Sequence, residues 1–421
     1  MQVYEYDIIK DIEYNENIRK FLEREENKRI FQELSINGKT KLKATQFVGV
    51  VQIEDTLIEV LPKLSKSTDN SKLALKNFLF MLNYSYKLHN LKEFDVNNNH
   101  MSGSILEVYI YLYAKNLFEL LKRNPNRYYV IVNEESGFLK GTWRLSEQLS
   151  QAPHLKHRFY VAYDEFTDNN LLNQILKFVA KMLIFKSRND NNKKLLHNIL
   201  LLFTEIDDIS KPVHSDFEKI KFNRLNKDYE PIFNLAKMFL EKLINSSNNL
   251  KEKSYSFMFD MNKLFEEFIA EFIRKEKVLE STIYKKHEQK NQHPQKFLLE
   301  ENLFKMKPDI CLLNGDKTDC IIDTKYKLLN DKDEKQYGVS QSDAYQMYAY
   351  SQKYKCPRVI LLYPEHLSEI KSKAYKFEEG KTLEIATVNL QRDLEKEKED
   401  LKNELKSVLI KKDMEIVEFT K

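Results

Sequence analysis

The side chains of this chain whose types and spacing suit chemistry are Asp309, Asp323 and Lys325, in the stretch 306–327, MKPDICLLNGDKTDCIIDTKYK. Two strand-forming runs, 309–313 and 318–324, flank Asn314-Gly315-Asp316-Lys317. An Asn-Gly pair between β-prone runs is a strong hairpin signal. Asp309 opens the first run, and Asp323 and Lys325 close the second. In an antiparallel hairpin the start of one strand lies beside the end of the next, so the two carboxylates converge. Asp323 and Lys325 are two apart, and the period of a strand places them on one face. Two carboxylates can hold Mg²⁺ or Mn²⁺, cations that bind through few protein oxygens and keep sites for water and phosphate. A metal there would neutralise phosphate charge and acidify a bound water. Lys325 could orient that water or stabilise charge growing on the phosphoryl oxygens. The chemistry is hydrolysis of a phosphodiester. A surface hairpin with a D-x-K salt bridge is the competing reading, and an isolated D-x-K would be read that way. What separates this stretch is the coincidence of Pro308-Asp309, the hairpin and the apolar Ile321-Ile322.

The flanking segments supply the scaffold. Upstream, a helix over 262–275, with Asp260 as its cap, buries Leu264, Phe265, Phe268, Ile269 and Phe272 as one stripe. Glu266 and Glu267 fall on different faces of it. Downstream, a polar loop leads to a helix over 342–354, where Gln346 and Tyr350 are four apart and share a face, near Asp343. The run 357–363 reads as a buried strand, 382–389 as another, and a charged amphipathic helix with Leu394, Leu401, Leu405 and Val408 on one side closes the chain. The polar stretch 285–296 reads either as a loop or as a path for a nucleic-acid backbone; its His287 and His293 lack the spacing of a metal site.

Pro308-Asp309 with Asp323-Thr324-Lys325 resembles the signature of the PD-(D/E)xK nuclease superfamily. Residues 262–269, NKLFEEFI, are similar to the first helix of that fold, and Gln346-Met347-Tyr348-Ala349-Tyr350 matches the Q-x-x-x-Y motif of RecB-like members. The chain as a whole resembles the McrC family, the nuclease subunits of McrBC-type 5-methylcytosine-dependent restriction systems. The resemblance implies an α+β multidomain chain: a β-rich and helical amino-terminal half and a nuclease domain with a mixed central sheet flanked by helices. It implies Asp309 and Asp323 as metal ligands for Mg²⁺ or Mn²⁺, Lys325 as the residue that positions water, Glu266 as an accessory acid, and Gln346 and Tyr350 as support. It also implies double-stranded DNA as substrate and an McrB-like AAA+ GTPase as partner in a hetero-oligomer.

The amino-terminal half reads as a β-rich module over 1–95. Runs 47–53 and 56–61 form a hairpin candidate whose pattern, G-V-x-x-I…I-E-V-L-P-K, is similar to the region of McrC proteins that engages the GTPase; on composition alone it is a structural hairpin. A middle domain over 96–250 combines helices with a β-rich segment around Trp143, and Asn173-Gln174 reads as a buried bracing pair. A linker at 246–253 precedes the nuclease domain, 251–421.

Composition limits the alternatives. At 421 residues the chain exceeds one ordinary core. The 68 basic and 64 acidic residues leave a net charge of only +4, so any nucleic-acid surface must be local. The three cysteines, Cys311, Cys320 and Cys356, have no metal or disulfide spacing and read as small buried hydrophobes. No signal core or long apolar run occurs, which suggests the cytoplasm. No G-x-x-x-x-G-K-[ST] occurs either, so nucleotide energy must come from a partner. Two other functions stay open at this stage: a stand-alone RecB-like repair exonuclease, and a non-catalytic adaptor of an AAA+ motor.

Overall fold

The structure, a computed structural model, describes the chain outside residues 11, 13, 26, 54, 64–70, 87, 89–103, 151–156, 245–253, 280–281, 286–295, 300, 302, 315–316, 328, 330–337, 366–372, 378–379 and 411–421. The expected linker at 246–253 and most of the basic stretch at 285–296 lie outside the described residues. The chain divides into two compact units, Met1–Lys87 with Ser256–Lys421, and Leu88–Tyr255. This differs from three modules in succession, and the reason is strand pairing across the expected boundaries.

The amino-terminal part of the first unit comprises β1 (Gln2–Tyr4), α1 (Glu16–Leu22), β2 (Phe31–Ile36), β3 (Lys39–Ala44), β4 (Phe47–Ile53), β5 (Thr56–Leu61) and α2 (Ser71–Ser85). β1 runs parallel to β5, which pairs antiparallel with β4. The expected hairpin of residues 47–61 therefore forms, and much of it faces the core. Val50, Val51, Ile58 and Val60 are each 0% exposed, so these branched side chains serve as core.

The second unit holds α3 (Ile105–Arg123), β6 (Tyr128–Ser136), β7 (Thr142–Trp143), α4 (Leu145–Ser150), β8 (Phe159–Thr167), α5 (Leu171–Lys186), α6 (Asp190–Leu202), α7 (His214–Lys219) and α8 (Glu230–Phe239). Its core lies among α3, α5, α6 and α8, where Tyr109, Leu117, Leu176, Leu183 and Leu235 are fully buried. The three-stranded sheet, in order β6-β8-β7, leaves Tyr129, Ile131 and Phe166 exposed. Asn170 caps α5, and buried Asn173 donates to the carbonyls of Asn126 and Asp168 at 2.9 and 2.8 Å. This is the bracing role that the sequence suggested for Asn173.

The carboxy-terminal part returns to the first unit with β9 (Tyr255–Asp260), α9 (Met261–Lys275), β10 (Thr282–Lys285), β11 (Ile310–Asn314), β12 (Lys317–Thr324), α10 (Gln341–Tyr354), β13 (Arg358–Pro364), β14 (Lys373–Lys376), β15 (Thr382–Val388) and α11 (Lys398–Leu409). β9 is the fourth strand of the amino-terminal sheet, in order β1-β5-β4-β9. Gly49 permits this: a Cβ there would stand 2.1 Å from the Phe257 carbonyl oxygen, and its φ of +140° suits glycine. α2 packs on the same segment, with Phe78 against Phe259 and Tyr84 against Phe268 and Phe272. A boundary near 250 would therefore cut a sheet from its own fourth strand.

The second sheet has the order β10-β11-β12-β13-β15-β14. β10, β11 and β12 pair antiparallel, β12, β13 and β15 parallel, and β14 returns antiparallel on β15. The protein is thus mixed α+β. One face of this sheet, with Cys311, Ile321, Val359, Leu361 and Tyr363, packs beneath Met347, Tyr350 and Tyr354 of α10. All seven residues of β13 are buried, as its unbroken apolar run predicts. The three cysteines are free and buried.

Candidate active site

The site lies where β11 begins and β12 ends, on the face covered by α10. Asn314 pairs with Lys317 at the turn, whose central residues Gly315 and Asp316 lie outside the described residues. The register changes within the ladder: Leu313 pairs with Thr318 but Leu312 pairs with Cys320, so Asp319 is a one-residue bulge. Ile310 then pairs with Ile322, the last pair of the ladder, so Asp309 directly precedes it on one side and Asp323 directly follows it on the other. A ladder unbroken from the turn would set Ile322 opposite Asp309, and a one-residue slip moves a side chain to the other face. The bulge is therefore what unites the two carboxylates, and the hairpin signal alone did not reveal it.

Both carboxylates are buried, Asp309 at 7% exposure and Asp323 at 2%. Like charges directly opposed across a sheet repel, and burial aggravates this. The surroundings offset it with donors. The Thr324 N–H and hydroxyl both donate to Asp309 Oδ2, at 2.9 and 3.0 Å. Lys325 Nζ lies 2.6 Å from Asp323 Oδ2. The Lys325 N–H donates to the Leu362 carbonyl at 2.9 Å, which extends the β12–β13 pairing by one residue and fixes where the ammonium starts.

α10 supplies the other wall. Ser340 caps it by accepting from the Asp343 N–H. Asp343, Gln346 and Tyr350 recur at helical spacing and face the strands. Lys325 Nζ donates to Gln346 Oε1 at 3.2 Å and lies 3.5 Å from Asp343 Oδ1. Asp343 also meets Lys327 Nζ at 3.2 Å, and Gln346 Nε2 donates to the Tyr350 hydroxyl at 2.9 Å. Burial pulls the Lys325 ammonium toward its neutral form, but Asp323, Asp343 and Asp309 outweigh it and hold the pKa above the ordinary lysine value. Lys325 is thus a cation at neutral pH, suited to orienting and neutralising rather than to accepting a proton. Burial also raises the Asp343 carboxyl, but Ser340, Lys327 and Lys325 together hold it below its ordinary value. Tyr350 is pushed well above the ordinary tyrosine range, first by burial and then by Asp323.

Five of the six residues singled out in the sequence, Asp309, Asp323, Lys325, Gln346 and Tyr350, meet at this one place. Glu266 lies on α9. That helix packs on β12 through Phe265, whose ring centroid is 5.9 Å from that of Tyr326. Among the described residues no three His, Cys, Asp or Glu side chains gather closely enough to hold a metal, so Glu266 does not complete a three-acid cage. The opposed pair is itself compatible with a magnesium-like ion, which takes one or two carboxylates and leaves its other positions to water and phosphate. Sequence reasoning noted Asp343 without assigning it a role, and it passed over Thr324 and Lys327; their positions inside D-T-K-Y-K and one turn before Gln346 were the available signals.

A family model described as McrBC 5-methylcytosine restriction system component matches residues 42–364. The chain belongs to that family. Among solved structures, a chain of the refined half-complex from the tetradecameric assembly of Thermococcus gammatolerans McrB AAA+ hexamers with bound McrC is similar over 97% of this chain and 99% of its own, at 22% identity and a TM-score of 0.68. The two chains share a fold. A chain of the Thermococcus gammatolerans McrBC complex is 27% identical over 65% of this chain and 87% of its own, with a TM-score of 0.49. No curated protein matches. Among the described residues no helix is long and apolar enough to cross a membrane.

Proposed function

We propose that this chain is the nuclease subunit of a McrBC-type restriction complex, a metal-dependent DNA endonuclease of the PD-(D/E)xK kind that works with an McrB-like AAA+ GTPase. The observation that carries the reading is that Asp309, just before β11, and Asp323, at the end of β12, meet at one end of the hairpin, with Thr324 holding Asp309 and the Lys325 ammonium 2.6 Å from Asp323. Asp309 and Asp323 would hold Mg²⁺ or Mn²⁺, which when bound neutralises phosphate charge and acidifies water. Lys325 orients the attacking water and stabilises charge on the phosphoryl oxygens as water adds to phosphorus and the bond to one sugar oxygen breaks. Gln346 bridges Lys325 to Tyr350 and keeps the ammonium aimed. Thr324 keeps Asp309 in place by donating to it from both its N–H and its hydroxyl.

The partner follows from what this chain lacks. Its Gly38-Lys39-Thr40 imitates the end of a phosphate loop, but position 33 is Glu where that motif needs Gly. Asn37 and Gly38, at φ 51° and 73°, form the turn between β2 and β3 rather than a strand-to-helix loop. Of the two components named for the similar assembly, the chain therefore takes the part of the one without the nucleotide site.

The test combines the purified chain with its AAA+ partner, GTP, Mg²⁺ and DNA carrying 5-methylcytosine. Cleavage that requires all of these is the expected result. Cutting of unmodified linear DNA from its ends without the partner would favour a repair exonuclease. Stimulated GTP hydrolysis with no cleavage would make the chain a non-catalytic adaptor.

A further inference from the structure

The residue after Lys325 is held by the amino-terminal sheet. Tyr326 is 1% exposed, and its hydroxyl donates to Glu5 Oε2 at 3.3 Å. The same carboxylate oxygen accepts the Lys63 N–H at 2.8 Å. Lys63 Nζ donates to the Tyr326 main-chain carbonyl at 3.2 Å and stands 4.6 Å from the centre of the Tyr326 ring. Glu5 directly follows β1, and its N–H donates to the Leu61 carbonyl at 3.0 Å. Lys63 lies just beyond the end of β5. The parallel strands β1 and β5 thus finish together at Tyr326. Tyr6 turns away there at φ 66°, a conformation bulky residues seldom adopt, with its ring 5.0 Å from Lys63 Nζ. Glu5 Oε1 is buried with no hydrogen-bond partner among the described residues. A half-satisfied buried carboxylate is costly, and such clusters persist where they specify a geometry.

We propose that Glu5 and Lys63 are positioning residues for Lys325, acting through Tyr326, so that the amino-terminal sheet sets the geometry of the nuclease centre. The main chain at Lys325 is fixed on one side by the Leu362 carbonyl, and on the other by the Lys63 ammonium on the next carbonyl. Between them Lys327 N–H closes a tight turn on the Lys325 carbonyl at 2.8 Å. If the Lys63 contact is lost, that turn is free to rotate and the ammonium leaves its place beside Asp323 and Gln346. The catalytic part of the claim rests on the nuclease reading above. The mechanical part does not.

The test uses the full-length chain with Lys63→Met, Lys63→Arg, Glu5→Gln and Tyr326→Phe. Hydrogen exchange is followed in peptides covering 320–327 and, for comparison, in β4 and β15. Lys63→Met should speed exchange at Lys325 and Lys327 by about tenfold while β4 and β15 keep their protection. In the reconstituted complex the single-turnover cleavage rate should fall by up to about 10²-fold, with DNA affinity unchanged. Lys63→Arg should restore both readouts, and Glu5→Gln and Tyr326→Phe should show the same local loosening in smaller degree. Unchanged exchange at 325–327 would overturn the proposal. Loosening spread evenly across β4 and β15 would also overturn it, since that marks a structural role alone. If the wild-type chain does not cleave, the nuclease reading fails while the exchange result still decides the mechanical claim.

Discussion

Asp309, one residue before the Ile310–Ile322 pair, and Asp323, one residue after it, come to the same end of the hairpin because a bulge at Asp319 takes up one residue of β12. Deleting Asp319 should therefore leave the pair intact: the ladder becomes regular from the turn and still ends with Asp309 and Asp323 together. Inserting one alanine at the same point should carry Asp323 to the other face and abolish the site, unless a second bulge absorbs it. Divalent-cation binding by calorimetry distinguishes the two variants. Binding lost on deletion but kept on insertion would contradict the register.

The opposed carboxylates should cost stability when no cation is bound. Asp309→Asn keeps an oxygen for Thr324 and removes the repulsion with Asp323. Its metal-free stability in urea should equal the wild type or exceed it by about 1 kcal/mol, while cation binding is lost. Destabilisation beyond about 2 kcal/mol would mean that the Asp309 charge is needed for folding.

Glu5 gives a pH signature. Burial raises its carboxyl from 4.5 in the unfolded chain to about 7 in the folded one, against the opposing pull of Lys63. A folded pKa above the unfolded value means that the folded state holds the proton longer. Glu5 therefore contributes most below pH 4.5, and its contribution is lost as pH rises to about 7. The stability of wild type relative to Glu5→Gln should fall across that window and be level on either side. Wild-type stability relative to Glu5→Gln that rises with pH across this window would reverse the assignment.

A fragment of residues 255–421 should not fold as an independent domain. It would lack β4 beside β9, and α2 against α9. In the full chain, Phe78→Ala removes a ring 5.7 Å from Phe259 and should cost about 3–5 kcal/mol. A fragment that unfolds cooperatively with full secondary structure would show that the amino-terminal sheet is dispensable.

Much of the site was legible because local rules wrote it. The Asn-Gly turn, the alternation through Ile321 and Asp323, and the helical spacing of Gln346 and Tyr350 each act over a few residues. The strands 47–53, 56–61, 357–363 and 382–389 were visible for the same reason. What the sequence hid was nonlocal. Nothing near Tyr326 announces Glu5 or Lys63, more than half the chain away. Nothing in 255–260 announces β4, although the bare Cβ position of Gly49 is part of that pairing. The pattern around Val50 and Val60 marks a hairpin in either setting, and only the packing shows that it is core. Asp319 looked like one more polar residue on a strand, and its bulge is set by the ladder on either side of it.

The central claim is tested most directly by the single-turnover cleavage rate of Asp323→Ala beside wild type, in the complete complex with Mg²⁺, GTP and 5-methylcytosine DNA, at matched partner binding. The account predicts a loss of at least about 10³-fold, because the substitution removes both a metal-holding oxygen and the anchor of Lys325. Cleavage by Asp323→Ala at the wild-type rate would contradict it.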